Sequence, residues 1–117
     1  MRYMCFVRMR EDRDHHAPPA LFEAMDKEMS ELAASGALIS GGGLAPTRES
    51  TMVELRDGEI ITTNGPWAEA KEVAGGYSII EFRTHEDAVE GARRVIELHK
   101  EHWPGWEGAC EVRRINE

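Results

Sequence analysis

The residue whose type and position best suit acid–base chemistry is His99. A helix is predicted over residues 85–102, and on a helical wheel Ala88, Ala92, Val95 and His99 fall within its apolar stripe. Burial tunes the pKa of an imidazole, and a facing carboxylate would complete a general acid or base, so His99 is the candidate catalytic residue. The alternative is a buried neutral histidine that hydrogen-bonds a backbone carbonyl near the helix end.

The segment 64–77 is the second place where side chains could do chemistry. It begins with Asn-Gly-Pro, which predicts a rigid turn, and it ends with Gly-Gly-Tyr at the start of a strand. Lys71 could bind a carboxylate or phosphate group, and Trp67 and Tyr77 could stack on the apolar part of the same ligand. The candidate ligand-binding residues are Asn64, Trp67, Glu69, Lys71, Tyr77 and His102. The alternative is a solvated loop in which Lys71 only pairs with neighbouring acids.

The turn at the start of this segment predicts one backbone effect. Gly65 precedes a proline and follows an asparagine, and a positive φ at this glycine would suit the turn. A valine strains such a conformation, so Gly65→Val is expected to damage the loop more than Glu69→Ala.

Motifs that would indicate a metal or a cofactor are absent from the sequence. There is no HExxH, CxxC or nucleotide fingerprint, and no Ser-His-Asp order. Adjacent residues point apart, so the pair His15-His16 does not by itself form a metal site. The run Gly41-Gly42-Gly43 is not followed by a helix start, which favours a bulge or a close backbone approach over a phosphate cradle. We therefore expect no metal and no cofactor.

Composition and charge narrow the class of protein. The chain has 117 residues and a formal net charge of −8, which predicts one domain and argues against nucleic-acid or anionic-membrane partners. Its two cysteines, Cys5 and Cys110, lie in strand-like runs and are interpreted as buried reduced thiols. The first residues resemble neither a signal peptide nor a transmembrane helix, so a cytoplasmic location is expected.

The order of predicted elements indicates the fold class. Strands are predicted at 2–9, 37–44, 51–56, 59–63, 76–83 and 108–115. Helices are predicted from Pro18-Pro19 to a glycine stop at Gly36, and over 85–102 after a cap in which Thr84 and Asp87 resemble a capping box. The dipeptide Asp57-Gly58 is a strong hairpin signal. Without that hairpin the order is βαββαβ, which predicts an α+β ferredoxin-like sandwich with an inserted β-hairpin.

Alternation along the strands assigns side chains to two faces of the predicted sheet. The face expected to meet the helices carries Val53, Leu55, Ile80, Phe82, Cys110 and Val112. The other face mixes apolar bulk with charges, and includes Met52, Tyr77, Ile79 and Glu81. The first strand is apolar on both faces, so it needs cover on both. A second copy of the sheet would supply that cover, and we expect a homodimer; the alternative is a half-wet open sheet.

The sequence resembles the YCII-related family in its DGPF branch. The resemblance is carried by Asn64-Gly65-Pro66-Trp67, by Ala68-Glu69-Ala70-Lys71-Glu72 and by Gly75-Gly76-Tyr77. It implies a dimeric α/β-barrel of ferredoxin-like halves, without a settled reaction. The branch motif has Asp and Phe where this chain has Asn64 and Trp67, which argues against a carboxylate base at position 64 but keeps an aromatic wall.

Two classes of function remain open at this level. The resemblance implies either a cofactor-independent enzyme that binds a small anionic organic molecule and uses a His and acid pair, or a non-catalytic regulatory or ligand-binding dimer linked to sigma-factor-type transcription control. An enclosed pocket in which a histidine faces an acid would favour the enzyme. A sheet face filled by side chains would favour the binding or regulatory dimer.

Overall fold

The computed structural model describes residues 1–11, 17–67 and 72–117. Its strands are β1 (Arg2–Met9), β2 (Leu38–Gly43), β3 (Thr51–Arg56), β4 (Glu59–Asn64), β5 (Val73–Glu81) and β6 (Gly108–Arg114). Its helices are α1 (Pro19–Ala34) and α2 (His85–His102), with a 3₁₀ turn at Thr47–Glu49. Neither α-helix in the described ranges is both long and apolar enough to cross a membrane.

Four of the strands form one antiparallel sheet in the order β2-β5-β1-β6. Helix α2 packs against β6 and α1, and α1 packs against β2. Two helices on one antiparallel sheet make an α+β fold that is consistent with the predicted ferredoxin-like class.

The ends of the helices follow the local sequence signals. At the end of α1, Gly36 has φ of 80°, its N–H donates to the Ala33 carbonyl, and the next N–H donates to the Leu32 carbonyl. This is the Schellman arrangement, and it confirms the glycine stop. At the start of α2, the Thr84 hydroxyl accepts a 3.0 Å hydrogen bond from the Asp87 N–H, which confirms the predicted cap.

The core lies between the sheet and the two helices. From the sheet it takes Tyr3, Cys5 and Ile80, and from the helices Leu21, Ala88, Ala92, Val95 and Leu98, all of them buried. The Tyr3 ring meets the edge of Phe82 at 6.0 Å. The apolar stripe predicted along α2 is therefore confirmed as a buried face.

The prediction that Val53 and Leu55 meet the helices was wrong. In the described structure β3 and β4 pair with each other as a separate two-stranded sheet, joined by Asp57 and Gly58, both at positive φ. Val53 is 66% exposed and Leu55 is 76% exposed. Alternation correctly placed the two residues on one face of their strand, but it cannot indicate which sheet that strand joins. The prediction that Met52 shares a sheet face with Tyr77 was wrong for the same reason, because Met52 belongs to this separate sheet.

The strand predicted at 76–83 also begins earlier than expected. β5 starts at Val73 rather than at residue 76, and a register shift opposite Val7 and Arg8 leaves Gly75 without a partner in β1. On the sheet face away from the helices, β1 contributes Met4 and Phe6 and β5 contributes Tyr77 and Ile79, and all four are half-buried. We call these four residues, with the charges between them, the open sheet face.

Candidate functional site

His99 is buried in the last turns of α2, at 5% exposure. Its Nδ1 lies 2.8 Å from the Val95 carbonyl oxygen. A carbonyl can only accept, so Nδ1 carries the proton and Nε2 carries the lone pair. Burial lowers the pKa of His99, and the bond to Val95 opposes this only in part. The imidazole is therefore neutral at pH 7, and its one polar contact within the described residues is to backbone.

The ring of His99 packs on Trp106 rather than facing an acid. Their centroids are 4.4 Å apart, and Trp103 lies 6.2 Å from Trp106 on the same turn. The Trp106 N–H donates to the Trp103 carbonyl, and its indole N–H points to the Met9 sulfur at 3.5 Å. Gly105, at φ of 80°, allows the chain to fold back so that the indole returns to the helix.

Trp106 forms one wall of a cleft of about 680 Å³, which we call the Trp106 cleft. Its other lining side chains are Arg10, Glu72, Ile96, Lys100 and Glu107. The volume is in the range of small-molecule sites, and the lining combines an aromatic face, an aliphatic side chain, two cations and two carboxylates. Glu72 is partly neutralised, because Arg8 lies 3.6 Å from its carboxylate.

A second cleft lies beside Trp67, and we call it the Trp67 cleft. Its volume is about 900 Å³, and it is lined by residues 44–47, 49 and 50, by Met52 and Glu54 of β3, by Pro66 and Trp67, and by residues 72–74. Among its described lining residues the charged side chains are Glu49, Glu54 and Glu72, and none is basic. An anion in this cleft would therefore meet negative charge from the described walls.

A polar clamp around Thr47 holds Trp67 in place. Glu11 accepts hydrogen bonds from the N–H of Thr47, at 2.8 Å, and from its hydroxyl. The same hydroxyl oxygen accepts the N–H of Trp67 at 3.2 Å. Thr47 is buried, so these contacts satisfy polar groups that would be costly to leave unpaired. The clamp joins the end of β1 to the turn before Trp67.

Gly65 lies against this clamp, although not for the expected reason. The prediction of a positive φ was wrong: the glycines with positive φ in the described structure are Gly36, Gly58 and Gly105. A Cβ on Gly65 would instead overlap the backbone carbonyl of Thr47. The N–H of Gly65 donates to the Ser50 carbonyl at 2.9 Å, which draws the two segments together. Close backbone approach, and not left-handed geometry, requires glycine here.

The other predicted ligand-binding residues are dispersed. Asn64 ends β4, and its amide oxygen accepts a 2.9 Å hydrogen bond from the Thr51 hydroxyl. Tyr77 lies on the open sheet face opposite Phe6 and is not a lining residue of the Trp67 cleft. His102 is partly exposed, with its Nε2 3.6 Å from Glu101. Glu69 and Lys71 lie outside the described residues, as do His15 and His16.

The sequence interpretation missed Arg10, Lys100 and Trp106 as site residues. Met9 pairs with Gly108, so the end of β1 meets the start of β6, and Trp106 and Arg10 come next to α2. A usable signal was the spacing of Ile96 and Lys100, which are four residues apart and therefore lie on one face of α2. Within the described ranges, no three His, Cys, Asp or Glu residues come together as metal ligands.

Comparison with known proteins agrees with the architecture. A search of curated proteins finds no match. A family model described as the YCII-related domain matches residues 1–115, nearly the whole chain. The chain, with its two helices on an antiparallel sheet, therefore belongs to the YCII-related family.

Proposed function

We propose that this protein is a homodimer that binds a small planar organic anion in the Trp106 cleft. The observation that carries the proposal is the convergence of Arg10 and Lys100 on a cleft walled by Trp106 and Ile96. An indole face suits a flat apolar group, and the two cations suit a carboxylate or phosphate at its end. The bound molecule would lie one ring away from His99, which packs on Trp106.

Charge favours this cleft over the one beside Trp67. Lys100 makes no ion pair with a described carboxylate, so its ammonium group is available to a ligand. Glu72 lines both clefts, but Arg8 offsets its charge. The remaining acid of the Trp106 cleft is Glu107. Lys71 lies outside the described residues, and the prediction from sequence that it binds an anion together with Trp67 defines the competing site.

The open sheet face supports the dimer. Met4, Phe6, Tyr77 and Ile79 leave apolar surface half-covered in a single chain. Charged side chains on the same face are already matched: Arg8 lies 2.9 Å from Glu111, and the Arg113 guanidinium stands 5.8 Å over the Phe6 ring. A two-fold axis places identical patches against each other, so apolar groups can be buried without opposing like charges. This would produce the dimeric α/β-barrel.

Catalysis by His99 is the second candidate, and its neutral imidazole favours it. Because Nδ1 donates to Val95, the lone pair on Nε2 is free to take a proton. A base of this kind would need the bound molecule to extend past the edge of the Trp106 indole, to within about 3 Å of Nε2. A binding protein would need only the packing of that ring, so His99→Gln separates the two: lost turnover with retained affinity supports the enzyme.

We also propose that the protein is cytoplasmic and that it belongs to the DGPF branch of the family. Cys5 and Cys110 are free, as expected of a protein in the reducing cytoplasm. The segment from Asn64 to Tyr77 keeps most of the DGPF pattern, which supports membership of that branch.

Titration calorimetry with benzoate, phenyl phosphate and the uncharged benzyl alcohol tests the binding site. Lys100→Gln should weaken binding of the two anions about tenfold, since a charge-assisted hydrogen bond contributes about 1.5 kcal/mol. Lys27→Gln, on the exposed face of α1, is the matched control and should leave affinity unchanged. Binding that Lys71→Gln weakens and Lys100→Gln does not would place the ligand beside Trp67. Equal affinity for benzyl alcohol would contradict an anion site.

A further inference from the structure

The chain exposes more surface than a folded monomer of its mass should. Its solvent-accessible surface is 8522 Å², whereas a monomer of this mass is expected to expose about 6,400 Å². The radius of gyration is 15.7 Å, against about 13.4 Å for a compact chain of this length. About 2,100 Å² per chain is thus left uncovered, and a standard interface needs only about 800 Å² from each partner.

The β3–β4 hairpin, residues 51–64, is exposed at every position except Glu54, and we call it the arm. Val53 is 66% exposed, and Leu55 and Ile60 are both 76% exposed. Leu55 and Ile60 are cross-strand partners, so the three side chains form one patch. An isolated two-stranded hairpin is at best marginally stable in water, and an apolar patch of this kind marks a contact surface.

The two faces of the arm differ in charge. Cross-strand pairing places Val53, Leu55 and Ile60 on one face, with only threonine and asparagine beside them. The opposite face carries Glu54, Arg56 and Glu59, and Arg56 pairs with Glu54 at 2.8 Å. A charge-free apolar centre with a polar uncharged rim is the composition of an interface core.

The chain's own body cannot cover the apolar face. Met52 and Glu54, on the charged face, line the Trp67 cleft and so turn that face towards the body. The face with Leu55 and Ile60 therefore points away from the chain to which it belongs.

We propose that the arm packs its apolar face against a second copy of this chain, beside the sheet-face contact of the homodimer. The area is the argument for a second copy: the uncovered surface exceeds what a standard interface needs, and two arms docked around a two-fold axis would cover part of it on both chains at once. The contact rests on the dimer proposed above and adds the arm to it. Because the charged face of the same arm lines the Trp67 cleft, that cleft would lie at the dimer boundary.

Sedimentation velocity over a range of concentrations tests the arm. Leu55→Thr combined with Ile60→Thr removes the apolar patch and keeps side chains that suit strands. We expect the double variant to dissociate at about 100-fold higher concentration than the wild type. Phe22→Gln is the matched control: Phe22 is 60% exposed on α1, in the helix layer, and its loss should leave association unchanged.

The outcomes separate the two proposals. A wild-type monomer overturns both the dimer and the arm contact. A wild-type dimer that the double variant leaves intact overturns the arm contact alone. If the double variant does not fold, amide hydrogen exchange of the wild type decides: in the dimer, amides of the arm should be protected and lose protection on dilution. Unprotected arm amides in an intact dimer would falsify the proposal.

Discussion

The imidazole of His99 packs against the indole of Trp106, with 4.4 Å between the ring centroids. Its Nδ1 holds the Val95 carbonyl at the same time. The neutral side chain of His99 thereby connects helix α2 to the turn that follows it. This connection makes the stability of the fold depend on pH.

Acid should destabilise the protein through His99. Burial lowers its pKa below the ordinary value of 6.5, so below that pH the unfolded chain binds a proton that the folded chain does not. The full free energy of unfolding is present above 6.5 and is lost as the pH falls from 6.5 towards the folded-state pKa. His99→Gln should flatten this dependence in urea unfolding, while His102→Gln should retain it. An unchanged slope in His99→Gln would contradict the assignment.

A methyl group at position 65 should be costly. Gly65→Ala drives its Cβ into the Thr47 carbonyl, and we expect a loss of about 1–3 kcal/mol in the free energy of unfolding. Gly43→Ala is the control, because its added Cβ would meet no atom within 4 Å and its φ is not positive. Equal stability of the two variants in urea would show that the loop moves away from Thr47 at no cost.

Removing the hydroxyl of Thr47 should loosen the clamp on Trp67. Thr47→Val is nearly isosteric, but it leaves the N–H of Trp67 without its acceptor and removes one hydrogen bond to Glu11. We expect a loss of about 1–2 kcal/mol together with a red shift of tryptophan emission. Ser50→Ala, which removes a hydroxyl bond to the Thr47 carbonyl only, is a control that should leave the emission in place.

The two thiols should be unreactive in the folded protein. Burial raises the pKa of Cys5, and burial with the nearby Cys5 raises the pKa of Cys110 to about 12. Since the thiolate is the nucleophile, alkylation by iodoacetamide at neutral pH should require unfolding. The raised pKa also predicts that stability falls as the pH rises above 9.0, where the unfolded thiols ionise first. Rapid labelling of native protein would contradict both statements.

Local signals in the sequence were enough to predict the helices, the strands and their ends. They were not enough to predict which strands pair with one another. The Gly36 stop, the Thr84 cap and the Asp57-Gly58 turn each depend on a few neighbouring residues, and each forms as predicted. The error at Val53 and Leu55 arose because alternation describes a strand and not its partner sheet. Whether β3 joins the main sheet is decided by contacts far along the chain.

The candidate site shows the same division. The buried position of His99 followed from helical spacing within one element. Its partner Trp106 lies beyond the helix end, and contact depends on a turn at Gly105 that brings the indole back. Arg10 and Lys100 are ninety positions apart, so only the pairing of β1 with β6 brings them to one cleft.

The hydrogen bond from the Gly65 N–H to the Ser50 carbonyl, 2.9 Å long, has a consequence for engineering. The β3–β4 hairpin begins after Ser50 and ends before Gly65, and these two residues are neighbours in space. The fourteen residues between them can be treated as one unit. If they are removed, the two ends that remain are close enough for a short glycine linker to join them at a small cost in loop-closure entropy. We therefore expect the rest of the chain to fold with the hairpin removed, or with another hairpin grafted in its place.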